Sequence, residues 1–418
     1  MKIDHFYHAL RLEPENCSGK LKCMNACPTN AIRYRKQRAV LLNDLCIDCG
    51  VCIEVCPDNA FIPVIDSIND FKNKKYLVAI PSSVLYYQLG PDVTPPIIHK
   101  ALKEIGFDCV YDISDFSEEI ALASIQNLNE NLDRKPMLSS FCPTVVRLIQ
   151  VNYPNLVKLL EPVNVPREIL AMTLRDKLPE ELGVDKKDIG IIYITPCPAM
   201  TVSIKQPAEK GISQIDGAVT IKEIYNMILP LILNYQKSGD MEKEEDSHFG
   251  KGWGVLGHIA RDLGENRCLA VAGLKHIKKI LDDIENSKLR DIDFIEALAC
   301  DQGCLGGLFC VTNPYIAKHN SILMEKKAKP ITPVKPEVVI NKYKEGFYLL
   351  DSPILPRPTR SSDKDLALSV KRIKQKERIL QKLPHKDCCL CGAPTCETFA
   401  EDCAYGEADL TDCIFFSE

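Results

Sequence analysis

The 418-residue chain lacks several features that would assign it to a compartment or a class. No apolar run approaches the ~20 residues of a membrane helix; the most apolar stretch, IYNMILPLILNY, is interrupted by Asn226 and Pro230. No charge of one sign dominates. The 52 basic and 57 acidic residues give a net charge of −5, which argues against a nucleic-acid footprint over the whole chain. The first residues, MKIDHFYHALRLEPEN, show no basic start followed by an apolar stretch, so nothing directs the chain to an oxidising compartment. The expectation is a soluble cytoplasmic protein with no membrane span and no nucleic-acid partner. What the chain has in abundance is cysteine: 20 residues, and with disulfides disfavoured, metal binding is their default use. The length allows about two to four domains.

The first 60 residues contain an internal repeat. CMNACPTNAI and CIEVCPDNAF are two copies of one unit, offset by 29 positions. The second copy, with Cys46, Cys49 and Cys52 followed by Cys56 and Pro57, has the full C-x2-C-x2-C-x3-C-P spacing of a bacterial two-cluster ferredoxin. The fourth cysteine of each copy serves the other cluster in such repeats. One 4Fe-4S centre is therefore expected on Cys46, Cys49, Cys52 and Cys27, and the other on Cys17, Cys23 and Cys56. The first copy lacks its second thiolate, because the equivalent position is Lys20, a poor iron ligand while protonated. Three outcomes follow: a three-iron (3Fe-4S) cluster, a four-iron cluster with a non-cysteine ligand such as water, or no first cluster.

Three separated stretches carry four more cysteines: SSFCPT (Cys142), TPCPAM (Cys197) and ALACDQGCLGG (Cys300 and Cys304). A cubane needs four thiolates converging on one point, and loops that follow strands can supply them. Cys142 and Cys197 end apolar, strand-like runs with a proline just behind. The plain alternative is that these are ordinary buried thiols, since free cysteine is a small hydrophobe. YLVAIPSS, DCVYDI, MLSSFCP and IGIIYITPCP read as strands alternating with helical stretches such as PPIIHKALKEIGF and TVVRLIQ, which predicts a wound α/β core with ligands at the carboxyl ends of strands.

The C-terminal segment DCCLCGAPTCETFAEDCAYGEADLTDC places Cys388, Cys391, Cys396 and Cys413 at C-x2-C-x4-C-x16-C, with Gly392 and Pro394 shaping the loop. It resembles the small iron-sulfur domain of corrinoid-linked proteins of acetyl-CoA metabolism and of a subunit of ion-translocating ferredoxin oxidoreductases, over nearly all of residues 384–413. Cys389 and Cys403 lie off the ligand spacing, and a zinc site built from some of the six is the other chemistry such residues support.

Taken in order, two ferredoxin clusters and then a core with three cysteine loops, the chain from about residue 15 to residue 320 resembles the FeFe-hydrogenase family. The resemblance implies a two-lobed α/β core, an N-terminal ferredoxin-like α+β domain and a small C-terminal iron-sulfur domain. The boundaries expected are 1–75 for the ferredoxin-like domain, 76–325 for the core, 326–383 for a linker and helix, and 384–418 for the last cluster. It also implies that Cys142, Cys197, Cys300 and Cys304 hold a cubane, and that Cys304 bridges to a two-iron subsite carrying carbon monoxide and cyanide. GCLGGLFCVTNP, GKGWGVLGH and the appended C-terminal cluster are most similar to the sensory branch of the family. That branch often continues into a signalling domain; this sequence stops at Glu418, so output is expected to pass through a partner.

Two positions depart from the catalytic members of the family. Where they carry a proton-relaying cysteine just before the first ligand, this chain has Phe141, whose phenyl ring neither donates nor accepts a proton. Where they carry a lysine three residues after the second ligand, this chain has Met200, which forgoes a charge-assisted bond of about 1.5–3 kcal/mol. Lys205, five residues on, is no evident substitute. The expectation is an iron-sulfur redox protein acting as a hydrogen or redox sensor or a ferredoxin-linked hydrogenase of low activity. The alternative is an electron-transfer subunit with only a cubane at the centre. The partner expected is an electron carrier such as ferredoxin, an oxidoreductase subunit, or a signalling kinase or phosphatase.

The remaining features read as structural. Cys109, Cys268 and Cys310 show no ligand spacing and are expected to be buried structural thiols. His258 is expected to start a helix and be satisfied by backbone, and His385 carries no signal. KSGDMEKEEDSHFGKG reads as a solvated charged loop. KKAKPITPVKPEVV reads as a linker, and SSDKDLALSVKRIKQKERILQKL as a helix packing the last cluster domain onto the rest through Leu366, Val370, Ile373 and Leu380.

Overall fold

The tandem repeat folds as two near-copies of one backbone. Strands β1 (Leu10–Leu12), β2 (Ile32–Arg35), β3 (Arg38–Leu41) and β4 (Phe61–Pro63) pair antiparallel, β1 with β4 and β2 with β3. The β2–β3 turn is the dipeptide Lys36-Gln37, both at positive φ, the geometry a two-residue hairpin needs to match strand twist. Helices Lys22–Ala26 and Val51–Val55 are each entered through a left-handed residue, Leu21 or Gly50. Each is followed by a left-handed asparagine, Asn30 or Asn59, so the sequence repeat is also a conformational repeat. Leu10, Met24, Ile32, Ala39 and Phe61 form the core beneath the cysteines.

The computed structural model describes residues 6–239, 252–264, 267–328, 334–359 and 366–416. Most of the charged segment KSGDMEKEEDSHFGKG lies outside the described residues. Two compact units are present: residues 1–64, 150–154 and 356–418 make one, and residues 65–149 and 155–355 the other. In the first unit, helices Leu366–Leu380 and Cys396–Ala404 complete the C-terminal part, around Leu383, Ala393, Phe399 and Ala400. Ile379 and Leu380 pack against that core, whereas Val370 and Ile373 are exposed. The helix therefore packs against that core at its last turns.

The second unit contains β5 (Tyr76–Pro81), β6 (Cys109–Val110), β7 (Met137–Leu138), β8 (Ile189–Thr195), β9 (Gly217–Thr220), β10 (Cys268–Ala272) and β11 (Phe294–Leu298). They form two wholly parallel sheets, ordered β6-β5-β8-β9 and β10-β11-β7. Every residue of β8 is buried, so it reads as a continuous apolar run rather than an alternating one. Helices including Pro95–Glu104, Pro143–Asn152, Pro166–Leu182, Ile221–Ser238 and Leu274–Glu285 connect the strands. This is the two-lobed α/β architecture. The apolar runs DCVYDI and MLSSFCP yield only two paired residues each.

The lysine- and proline-rich linker is not wholly a linker. From Pro336 to Lys344 it is helical, because Val339 and Tyr343, one turn apart, are buried, and the Tyr343 hydroxyl donates to Asn127 Oδ1 (3.2 Å) and Glu130 Oε2 (3.3 Å). Among the described residues no helix is long and apolar enough to cross a membrane.

Two buried acids of this unit have strongly raised carboxyl pKa values. Glu296 in β11 accepts the N–H groups of Gly257 and Ala260, both at 2.9 Å, and burial pushes its pKa up to about 7. Burial also pushes Glu161 up to about 7, and its Oε1 has no hydrogen-bond partner. A raised carboxyl pKa means that the folded state holds the proton more tightly than the unfolded chain. Its contribution is full below the ordinary value of about 4.5 and is lost as pH rises through about 7. Glu161→Gln cannot ionise, so it is expected to stabilise the protein by up to about 3 kcal/mol above pH 7 relative to its effect at acid pH. Apparent Tm of both proteins at pH 5 and pH 8 tests this; an equal difference at the two pH values would contradict it.

Candidate iron-sulfur sites

The central cysteines sit where two parallel sheets present their carboxyl ends. Cys142 follows β7, Cys197 follows β8, and Cys300 and Cys304 follow β11. Cys142 and Cys197 are each followed by a proline at the first position of a helix, where its missing N–H costs nothing. Each cysteine therefore lies at a helix N-terminus where backbone N–H groups favour the ionised sulfur, although the Val145 N–H also donates to the Cys142 carbonyl (3.0 Å). The donors are Val145 and Thr144, with Ala299 from the β11 loop, at Cys142, and Met200 and Ala199 at Cys197. Burial nevertheless dominates, raising the Cys142 thiol and pushing Cys197 up to about 12.

Cys304 is fixed from behind by the glycine-rich segment. Its N–H donates to the Gly254 carbonyl at 2.6 Å, and Gly303 at φ +82 passes so close that an added Cβ would stand 2.3 Å from that same oxygen. Its thiol is raised by burial first and then by the neighbouring sulfurs of Cys142, Cys197, Cys300 and Cys310. The four cysteines of the three distant stretches thus share one buried place. Cys310, expected to be a remote structural thiol, lies there too: its Sγ donates to the Cys304 carbonyl (3.3 Å), and burial pushes it up to about 12. Its sequence spacing carries no ligand signal; only the turn through Gly306 and Gly307 returns it.

Phe141 is buried and packs edge-on to Trp253, ring centroids 5.8 Å apart. Met200 is buried, with its sulfur accepting from the Tyr193 hydroxyl at 3.5 Å. Lys205 does not replace the missing cation, because its ammonium pairs with Asp66 (3.0 Å) and donates to the Asp216 carbonyl (3.2 Å). The cation beside the central thiols is instead Arg167, on helix Pro166–Leu182 and only 5% exposed. It donates from Nη2 to Ser203 Oγ (3.1 Å) and favours the ionised forms of Cys142 and Cys197. Its Nε faces Glu168 Oε1 at 3.5 Å without an aligned hydrogen bond, and burial raises Glu168 toward its neutral form. No sequence signal marked Arg167.

In the N-terminal repeat, Cys27 Sγ accepts the Ala31 N–H (3.2 Å) and Cys56 Sγ the Ala60 N–H (3.3 Å), the same bond in both copies. The thiols fall into two neighbourhoods. Burial, then Cys56 and Cys17, push Cys23 up to about 11. Burial, then Cys27, push Cys49 up to about 12, while Cys46 is raised by burial with smaller effects of Cys52 and Cys49. His8 Nδ1, Asp48 and Cys46 also converge, but His8 and Asp48 already bond each other at 2.9 Å. Lys20 is half-exposed and its ammonium pairs with Asp58 Oδ1 at 2.7 Å, so its nitrogen is engaged as a cation.

At the C-terminus, Cys388, Cys391, Cys396 and Cys413 line one small cavity. Cys389 borders it too, with its Sγ donating to Asn25 Oδ1 at 3.1 Å. Cys403 is pushed up to about 12, by burial and then Asp402. Cys109 bonds the Tyr76 hydroxyl (2.8 Å), and His258 starts its helix with Nδ1 3.1 Å from the Gly252 carbonyl and Nε2 3.3 Å from Glu325. Thiols gathered in groups of three and four, most of them buried or partly buried and Cys388 exposed, fit iron-sulfur clusters, whose binding displaces the thiol protons.

The chain matches the family described as iron only hydrogenase large subunit, C-terminal domain, over residues 75–265 and 254–307. It also matches a 4Fe-4S dicluster domain over residues 9–57 and an Fe-S cluster domain over residues 383–415. It is 24% identical to iron hydrogenase 1 of Clostridium pasteurianum over 375 residues, covering 73% of this chain and 65% of that protein. It is 28% identical to the cytosolic Fe-S cluster assembly factor NAR1 of Saccharomyces cerevisiae over 159 residues, covering 37% of this chain and 31% of that protein. The chain thus spans less than two thirds of the length of these relatives. An apo FeFe-hydrogenase from Chlamydomonas reinhardtii superposes with a TM-score of 0.50 at 16% identity, over 70% of this chain and 98% of that one, a likeness of fold.

Two substitutions test these sites. Lys20→Cys is expected to add iron at the Cys17, Cys23 and Cys56 group and give a four-iron paramagnetic signal there. Unchanged iron content and spectrum would show that position 20 does not face the site. Arg167→Gln is expected to make the central cubane harder to reduce, because a buried cation favours the more negative state. An unchanged midpoint potential in a fully loaded protein would count against it.

Proposed function

The chain belongs to the iron-only hydrogenase large subunit family, and from that premise we propose that it is an iron-sulfur redox protein that senses hydrogen or the redox state of its surroundings, or turns hydrogen over slowly. The observation that carries this reading is the shared, buried position of Cys142, Cys197, Cys300 and Cys304 beside Arg167. Those four cysteines would hold a cubane, with Cys304 as the bridge to a two-iron subsite. Cys27, Cys46, Cys49 and Cys52 would hold one ferredoxin cluster, Cys17, Cys23 and Cys56 a second of three or four irons, and Cys388, Cys391, Cys396 and Cys413 a further 4Fe-4S cluster. Bound clusters supply one-electron storage and transfer.

The protein's own residues account for slow rather than fast chemistry. Phe141, packed edge-on against Trp253, leaves no proton carrier at the position beside Cys142. Arg167 supplies a permanent charge near the thiols that Met200 cannot supply, but as a guanidinium it does not release its proton. A centre that takes up charge without quick proton delivery suits a sensor. We place the protein in the cytoplasm, with a ferredoxin-like carrier or an oxidoreductase subunit as its electron partner, or a kinase or phosphatase as its reader.

A second reading is favoured by Met200 alone: a cubane with no two-iron subsite, in a protein that conducts electrons. The similarity to NAR1 is compatible with a role in handling iron-sulfur clusters rather than hydrogen. The test is an infrared spectrum of the anaerobic protein, made in cells with the hydrogenase maturation machinery. Bands of iron-bound carbon monoxide and cyanide are the expected result. Their absence in a protein with full iron content would replace the hydrogen reading with the electron-conduit one.

A further inference from the structure

Segments from both ends of the chain lie in the same compact unit, joined through β2, helix Cys396–Ala404 and the loop bearing Cys389 and Cys391. The Tyr34 N–H on β2 donates to the Gly392 carbonyl at 2.8 Å. Gly392 has φ +76, and an added Cβ would stand 2.0 Å from the Tyr34 oxygen, so only glycine closes this contact. Asp402, fully buried, accepts Arg33 Nε (2.6 Å) and Nη2 (3.0 Å) as a two-pronged pair, and Arg35 Nη2 at 2.7 Å. Arg35 then reaches the carbonyl of Cys391 with Nη1, at 3.0 Å. On the other side, the Cys389 thiol bonds Asn25, which stands between Cys23 and Cys27. The loop bearing Cys388 and Cys391 therefore touches the loop bearing Cys23 and Cys27.

A seam meant only to hold two domains together has no need of a second guanidinium, since replacing buried ion pairs by apolar packing is often neutral or stabilising. Here two guanidiniums share one carboxylate and leave positive charge against a cysteine carbonyl of the last group. Charge and hydrogen bonding near the sulfurs set the potential of an iron-sulfur cluster. We propose that the C-terminal cluster and the ferredoxin-type clusters form one electron relay, and that Arg35, a positioning residue held by Asp402, sets the potential of the C-terminal cluster from across the seam. This rests on the reading that both cysteine groups hold clusters. In each step one cluster loses one electron and the other gains it; no bond forms or breaks, and a one-electron carrier outside the protein is the source or the sink.

The test uses the full chain, prepared anaerobically and titrated with dithionite while paramagnetic signals are followed. The signal that disappears, with its iron, in Cys391→Ser is that of the C-terminal cluster. In Arg35→Gln, with iron and sulfide complete, the reduced-to-oxidised ratio of that cluster at the wild-type midpoint is expected to fall about tenfold, a shift of about 59 mV for one electron. The ferredoxin signals should stay in place, and Arg35→Lys, which keeps the charge, should hold the potential close to its wild-type value. Equal shifts in both variants, or none in either, would overturn the role of Arg35. In the fully reduced wild-type protein the signals should show mutual splitting that Cys391→Ser removes; unsplit signals would overturn the relay. If Cys391→Ser loses no iron, the cluster assignment itself is wrong, and the inference falls with it.

Discussion

The structure depends on a single geometric demand: thiols from remote parts of the chain must meet in a dry place while keeping donors for their charge. The two parallel sheets meet it by delivering Cys142, Cys197, Cys300 and Cys304 from their carboxyl ends. Cys-Pro at two of these corners serves two ends at once. Proline ends the strand and starts the helix, and backbone N–H groups of the first helical turn favour the ionised sulfur. Cys304 is held differently, by its own N–H donating to the Gly254 carbonyl, an approach that an added Cβ at Gly303 would block.

Around these sulfurs the protein has rearranged its charges rather than removed them. The buried positions 141 and 200 hold Phe141 and Met200, which pack but neither carry a proton nor bear a charge. A buried guanidinium on a neighbouring helix, Arg167, supplies the cation from another direction. Glu168 faces it at 3.5 Å, and burial raises the carboxyl pKa of that acid. The central thiols thus have a buried cation close by, while the positions at 141 and 200 carry groups that bear no charge.

The first unit follows the same logic at the seam between the chain's two ends. Gly392 admits the edge of β2, and Asp402 gathers Arg33 and Arg35, so that cysteine loops nearly 370 residues apart in sequence lie in contact. Lys20 breaks the otherwise regular repeat, yet the backbone there keeps the repeat's conformation, and Asp58 neutralises the ammonium. The local fold is thus specified by the whole repeat rather than by each thiol.

Short-range patterns in the sequence sufficed for the ferredoxin repeat, the C-terminal cysteine group, the helices Pro95–Glu104 and Pro143–Asn152, and the long strands β5 and β8. Each is encoded by spacing or periodicity within a few residues. Strands β6 and β7 were legible as apolar runs but not as two-residue pairings, because strand length is fixed by the neighbour's register. The helix Pro336–Lys344 was hidden in a linker-like composition, since burial of Val339 and Tyr343 against a distant helix decides it. Arg167 and Cys310 carried no signal, because a lone arginine or cysteine gains meaning only from what stands beside it. The sequence by itself determined which residues could bind iron and in what local groups; the tertiary structure alone decided which groups face one another and which charges attend them, because those depend on contacts between segments that no local spacing records.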